Sequence, residues 1–184
     1  MRIAVTGTHG SGKTTLLEDF VDQHQNYQAI QEPYWDLAEQ GIALAGEPSI
    51  ESFTDQLNHS LQTLLASRSE KHTIFDRCPL DFIAYLEVLS EQGGEDWEPS
   101  GQLLAKIEKA LTTLDLIVFL PISSPDEITT PIEYPKLRHQ TDTRLKQILR
   151  NDTLGLLDSL PEVLELTGLR NARWTALSKR VFVP

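Results

Sequence analysis

Residues 7–14 read Gly-Thr-His-Gly-Ser-Gly-Lys-Thr, which completes the pattern G-x-x-x-x-G-K-[ST]. This pattern constrains architecture as well as chemistry. The glycines let the backbone turn tightly around an anion, and the N–H groups of Gly7, Thr8, His9, Gly10, Ser11 and Gly12 then point inward as a nest. Lys13 stands where an ammonium bridges the β- and γ-phosphates of a nucleoside triphosphate, and the Thr14 hydroxyl where it ligates Mg²⁺. Thr15 follows in the first helical turn, as helix packing or as a further hydroxyl near the metal. His9 reads as a side chain that the loop tolerates. The flanks agree with the motif. Arg2–Thr6 is a short apolar strand, and Leu16, Leu17, Phe20 and Val21 recur at helical spacing behind Lys13. A helix opening at Lys13 adds the positive end of its dipole to the anion site.

The rest of the chain alternates in the same way. Tyr27–Gln31 reads as a second strand ended by Glu32-Pro33, and Trp35–Ala45 as a short helix broken at Gly46-Glu47-Pro48. Phe53, Leu57, Leu61, Leu64 and Leu65 form a helical stripe that serves equally as core or as a homodimer interface. Thr73–Phe75 is a strand ending at Asp76, and Pro79–Ser90 a helix. Leu103–Leu111 is another helix, and Leu116–Leu120 a strand apolar enough to be buried on both faces. A proline-bearing loop over Ile122–Pro135 leads into a long helical pattern from about Leu137 to Leu160, then a strand at Val163–Thr167 and a helical tail. Strands alternating with helices predict parallel βαβ units in a doubly wound, three-layer α/β/α P-loop NTPase domain. No linker or composition break divides residues 1–184, so one domain is expected.

Composition narrows the partners. The chain has 16 Lys+Arg against 27 Asp+Glu, a net charge of −11. It lacks the basic footprint that nucleic-acid backbones and anionic membranes select. Its apolar runs are too short for a membrane span, and the opening residues do not read as a signal peptide. With 1 cysteine there is no internal disulfide. A reducing cytoplasm is the expected compartment. Subclass signals are equally selective. No Asn-Lys pair exists to read guanine, which argues against a GTPase. The chain is short for a motor-type ATPase, and Ile74-Phe75-Asp76 ends on a single acid followed by Arg77. Small size and the Asp-Arg pair favour a kinase of a small molecule.

Two segments carry a family resemblance. Gln31-Glu32-Pro33-Tyr34-Trp35 ends the second strand and Asp76-Arg77-Cys78 the third. In a parallel sheet both ends open on the edge where ligands bind. The arrangement resembles the deoxyribonucleoside kinases, with their Glu-Pro pair and Glu-Arg-Ser motif. Phe75-Asp76-Arg77-Cys78-Pro79-Leu80-Asp81-Phe82-Ile83-Ala84-Tyr85 resembles more closely a bacterial group of P-loop ATPases and kinases that includes the ribosylnicotinamide kinase domains. Asp76 and Cys78 depart from the deoxynucleoside kinase pattern, and its arginine-rich lid run is missing. The resemblance implies a five-stranded parallel sheet in the order 2-3-1-4-5. It also implies ATP- and Mg²⁺-dependent phosphoryl transfer to a small acceptor: a nucleoside, a nucleotide or ribosylnicotinamide. An ATP-binding or ATP-hydrolysing regulatory P-loop protein with no acceptor is the competing class.

Each candidate residue has a plainer alternative. Glu32 is the candidate general base, or else a solvated acid ending a strand. Asp76 is a second Mg²⁺ ligand, direct or through water, or a turn cap. Arg77 contacts phosphate or substrate, or forms a structural ion pair. Asp81 falls in a first helical turn, where a carboxylate is favourable, or touches substrate. Residues about 121–150 are the lid region, locally basic, with Arg138 its leading phosphate-neutralising candidate and Arg144 the next; either is otherwise a solvated helix residue. By analogy with P-loop kinases, Gly168 to Arg173 contact the adenine, mainly through backbone. Trp35 stacks on a planar substrate or is core, and Trp97 and Trp174 are packing.

Overall fold

The computed structural model describes residues 1–42, 46–93, 96–123, 131–157 and 161–182. Among these residues five strands are each followed by one or two helices: β1 (Arg2–Thr6), α1 (Lys13–Gln23), β2 (Gln28–Ile30), α2 (Pro33–Glu39), α3 (Ile50–Ala66), β3 (Thr73–Asp76), α4 (Pro79–Glu91), α5 (Gly101–Leu111), β4 (Leu116–Phe119), α6 (Pro135–Asn151), β5 (Glu162–Glu165) and α7 (Arg170–Phe182). All pairings are parallel and the order is β2-β3-β1-β4-β5, as the resemblance implied.

The two-residue period of a strand decides which layer each side chain enters. On β1 and β4, Ile3, Val5, Leu116 and Val118 face one way and join Leu16, Leu17 and Phe20 of α1 and Leu177 of α7. Ala4, Ile117 and Phe119 face the other way, into a larger core with residues of α3, α4, α5 and α6. Strands covered on both faces are apolar in their middles, and β1, β3 and β4 are buried at every position, with the polar Arg2, Thr6, Thr73 and Asp76 confined to strand ends. The outer strands differ: β2 has three residues, and β5 is mostly exposed or half-buried. Leu57, Leu61 and Leu64 of the α3 stripe are buried in the larger core, so that stripe is core.

At the start of β1, Arg2 is 6% exposed. Its guanidinium donates to the carbonyls of Thr113 (2.8 Å), Leu64 (2.9 Å) and Glu70 (3.2 Å), and to that of Ser67. It also lies over the Phe75 ring, 5.0 Å from the centroid. Four backbone acceptors satisfy this cation where β1 begins and where α3 and α5 end.

The helical pattern that the sequence extended to Leu160 stops at Asn151. Asp152 takes a left-handed φ of 44°, and its carboxylate accepts from the backbone N–H of Leu156 (2.9 Å) and Leu157 (3.1 Å). An aspartate that turns its side chain onto the following backbone ends a helix even where apolar spacing continues. Leu160 itself lies outside the described residues. Residues 124–130, part of the expected lid region, also lie outside them. Trp35 is 57% exposed, so it is not core, while Trp97 and Trp174 pack half-buried against the two clusters.

Candidate active site

The C-terminal ends of β1, β2 and β3 converge on the glycine loop. Gly7 has φ 151°, and a Cβ there would lie 2.7 Å from the Leu120 carbonyl oxygen, so backbone passes where a side chain cannot. Gly10 and Gly12, at φ 65° and 88°, complete the turn into α1. Lys13 is buried and its Nζ donates to the Thr8 carbonyl at 3.0 Å. Burial lowers its pKa and Arg77 adds to that, against Asp76, Glu32 and Asp81. Thr14 Oγ1 donates to Asp76 Oδ2 at 2.6 Å. The other Asp76 oxygen is buried without a partner. Burial, the largest influence, holds this carboxyl above its ordinary range. A hydroxyl paired with a half-satisfied carboxylate beside a phosphate loop fits a Mg²⁺ ion or its water. Thr15 follows on α1, half-buried.

Behind the loop stands Asp81, fully buried. Its carboxylate accepts from Thr6 Oγ1 (2.6 Å), Gly7 N–H (2.9 Å), Cys78 N–H (3.0 Å) and Arg77 (3.4 Å). One side chain thus caps α4 and fixes the first residue of the glycine loop. Of the two readings of Asp81 the structure selects the structural one, since both oxygens are engaged. Cys78 is buried beside it, and burial pushes its thiol well up, away from nucleophilic character.

Arg77 connects these parts to a cavity. Its φ of 82° is left-handed, a strained conformation for arginine that persists where surroundings enforce it. The backbone N–H is held by Val5 O at 2.9 Å. The side chain pairs with Glu32 through Nε, and its Nη1 reaches Gly7 O at 3.2 Å and Asp81. Burial opposes the charge, but Glu32, Asp81 and Asp76 together raise the guanidinium above the ordinary arginine value. Burial also opposes charge on Glu32, yet Arg77 and Lys13 outweigh it and hold this carboxyl below the usual range. Glu32 is therefore ionised at neutral pH, and it sits at the N-terminus of α2, before Pro33.

Glu32 and Arg77 line a cavity of about 270 Å³ with His9, Phe53, Gln56, Tyr85 and Glu133 among the other walls. Phe53 and Tyr85 stack with centroids 4.4 Å apart and planes 6° from parallel. Tyr85 is a site residue that periodicity read only as part of a helix face. The available signal was its spacing: four residues after Asp81, it shares the α4 face that meets the loop. Its hydroxyl contacts Thr8 Oγ1 (3.1 Å), His9 N–H (2.8 Å) and His9 Nδ1 (2.8 Å). So His9 contributes its backbone to the loop but sends its ring into the cavity wall.

The arginines expected over the phosphates divide. Arg138 reaches the loop: it is buried, with Nε donating to His9 O (2.9 Å) and Nη2 to Gly10 O (3.4 Å). Arg173, read from the sequence as an adenine contact, also reaches the loop, Nη1 donating to Ser11 O at 3.1 Å. Gly168, at φ 88°, turns the chain into α7 and so places Arg173. Arg144 is not brought there. It pairs with Glu87 (2.8 Å) and with Glu91 on α4, one helix face away from the loop.

The sequence matches the AAA domain family over residues 2–156. The chain belongs to that family. Solved structures extend the likeness across the whole fold. Deoxyadenosine kinase from M. mycoides with bound dATP superposes with a TM-score of 0.65 at 14% identity, covering 98% of this chain and 99% of that one. The NadR protein in complex with NAD and AMP-PNP superposes with a TM-score of 0.64 at 20% identity, over 97% of this chain and 48% of that one. This family member thus spans about half the length of NadR. The YorR protein from Bacillus subtilis, in complex with phosphorylated GDP, gives 0.57 at 14% identity over 98% and 95% of the two chains. At these identities the likeness is one of fold. No curated protein matches the sequence. Among the described residues no helix is long and apolar enough to cross a membrane.

Proposed function

We propose that the protein is an ATP-dependent kinase that phosphorylates a hydroxyl of a small metabolite, a nucleoside or ribosylnicotinamide in preference to a nucleotide. The observation that carries this is the cavity opening beside the phosphate loop with the Glu32–Arg77 pair in its wall. A P-loop switch without an acceptor needs no such cavity.

In the reaction the acceptor oxygen attacks the γ-phosphorus in line, the bond to the β–γ bridging oxygen breaks, and ADP leaves. Glu32 takes the proton from the acceptor hydroxyl as the O–P bond forms. Arg77 keeps that carboxylate ionised and aimed. Lys13 and the loop N–H groups hold the β- and γ-phosphates, and Arg138, standing on the loop carbonyls, is placed to offset charge as it spreads over the transferring group. Thr14 and Asp76 would hold Mg²⁺, which when bound neutralises phosphate charge.

Charge in the cavity favours an acceptor without a phosphate. Among its described lining residues, Glu32, Glu47 and Glu133 stand against one arginine, Arg77, whose charge Glu32 and Asp81 already balance. Burial, with Arg77, Lys13 and Arg138 nearby, lowers the His9 pKa and keeps the ring neutral. A planar ring meets aromatic surface at Phe53 and Tyr85, and the buried Gln56 offers an amide.

ADP release from Mg·ATP is measured across nucleosides, nucleoside monophosphates and ribosylnicotinamide, with Lys13→Ala and Glu32→Gln alongside. One unphosphorylated acceptor should raise turnover well above basal, Lys13→Ala should abolish the rise, and Glu32→Gln should cut it about 10²-fold. Strongest stimulation by a monophosphate overturns the charge reading. No stimulation by any acceptor, with Glu32→Gln hydrolysing ATP at the wild-type rate, overturns the kinase reading in favour of an ATP-hydrolysing regulatory protein.

A further inference from the structure

We propose that His9 is a positioning residue that clamps the entry of α6 onto the phosphate loop and thereby sets where Arg138 stands. Every polar atom of His9 is committed. The backbone N–H donates to Tyr85 Oη (2.8 Å) and the backbone carbonyl accepts from Arg138 Nε (2.9 Å). The ring spans from Tyr85 Oη at Nδ1 (2.8 Å) to the Glu133 carbonyl at Nε2 (2.8 Å). One loop residue therefore joins β1's glycine turn to α4 on one side and to the start of α6 on the other.

The proton arrangement follows from what each partner can do. A carbonyl only accepts, so Nε2 carries the hydrogen that goes to Glu133. In a neutral ring Nδ1 then accepts, and Tyr85 O–H is its donor. Tyr85 Oη in turn accepts from the His9 N–H and from the Thr8 hydroxyl. Donors and acceptors match one for one. A second proton on the ring would set Nδ1–H against the Tyr85 hydrogen and break this order. Lys13 of α1, Arg77 after β3 and Arg138 of α6 surround the ring with positive charge and burial reinforces them, while Glu32 and the Glu133 segment face it from the acidic side.

The start of α6 shows independently that something outside the helix holds it. Tyr134, the residue before Pro135, lies at φ 50° and ψ 56°, a left-handed conformation uncommon for tyrosine, and no side chain caps the helix from within. The residue fixed by His9 is Glu133, immediately before that strained position. Four residues into the helix stands Arg138, whose N–H begins the helical ladder at Tyr134 O (3.0 Å). Holding Glu133 thus fixes the axis along which Arg138 extends to the loop.

The inference draws its purpose from the kinase reading, but its test needs no acceptor. Amide hydrogen exchange of residues 134–140 is followed in the full chain at pH 7.5, with and without Mg·AMP-PNP, for wild type, His9→Ala, His9→Asn and His9→Gln. Loss of the two ring hydrogen bonds, to Tyr85 and to the Glu133 carbonyl, should speed exchange there about tenfold in His9→Ala, with β1 and α5 unchanged. Glutamine, whose amide N–H reaches as far as Nε2, should restore most of the protection, and asparagine, one carbon shorter, should not. Wild-type exchange in His9→Ala, or equal loss in the alanine and glutamine variants, overturns the proposal. Should His9→Ala fail to fold, the asparagine and glutamine variants suffice: residues 134–140 should stay protected relative to α5 in His9→Gln and lose protection in His9→Asn. Equal protection in these two variants overturns the clamp. Because only exchange is read, failure here leaves the acceptor screen untouched, and the converse holds.

Discussion

Arg2 and Arg77 stand at opposite ends of the same sheet and are almost equally buried, at 6% and 7% exposure. Their surroundings differ in kind. Arg2 is met by backbone carbonyls, and burial lowers its pKa. Arg77 is met by carboxylates, its charge is reinforced, and its backbone is strained. Carbonyls cannot titrate, move independently or release a proton, so a cation on carbonyls ties segments together and does nothing else. A cation on carboxylates sets their ionisation and their aim. The edge of the sheet where strands begin is locked, and the edge where they end is poised.

Removing each arginine separates the two roles. Arg77→Gln should have the largest effect: about 3–5 kcal/mol of stability at neutral pH, because buried Glu32 and Asp81 lose their partner, and acceptor-dependent turnover down about 10²-fold, as Glu32 loses its ionisation and aim. The pH dependence carries the distinguishing sign. In the wild type the folded Glu32 pKa is depressed, so its stabilisation is present above the ordinary value of 4.5 and lost as pH falls through the depressed one. Without Arg77 burial dominates, the Glu32 pKa rises, and the loss should shrink on acidification. Denaturant titrations at pH 5 and pH 8 check this. Arg2→Leu should cost about 3 kcal/mol at both pH values, through carbonyls left unpaired, with the turnover of the folded protein unchanged. A loss for Arg2→Leu that varies with pH would break the contrast.

Smaller effects sharpen it. Glu32→Gln should reduce acceptor-dependent turnover about 10²-fold while lowering stability less than Arg77→Gln, since the amide still accepts from the guanidinium. Arg144→Ala should cost less than about 1 kcal/mol in thermal unfolding and leave Mg·ATP turnover alone, because its partners are Glu87 and Glu91 at a half-exposed helix pair.

What the sequence disclosed follows the range of the interactions. The glycine loop is one contiguous motif, and the buried strands are contiguous apolar runs, so both were legible together with the parallel topology. Glu32, Asp76 and Arg77 were legible because they sit directly at strand ends. The end of α6 was not, since Asp152 stops it by a side-chain bond to its own backbone while leucines continue the pattern. The Tyr85 hydroxyl and the His9 ring were read only as a helix face and a tolerated side chain, because their meaning lies in contacts 76 residues apart. Arg138 and Arg144 share one basic stretch, and only the packing of α6 on α4 tells which reaches the loop.

The buried thiol at the head of α4 belongs to the chain's 1 cysteine. A thiol reagent in solution meets it only in molecules whose α4 has come away from β3 and the glycine turn. The rate of labelling at Cys78 therefore counts openings of the edge that carries the phosphate loop, without any tag or added fluorophore, and nucleotide that stabilises the closed form should slow that clock.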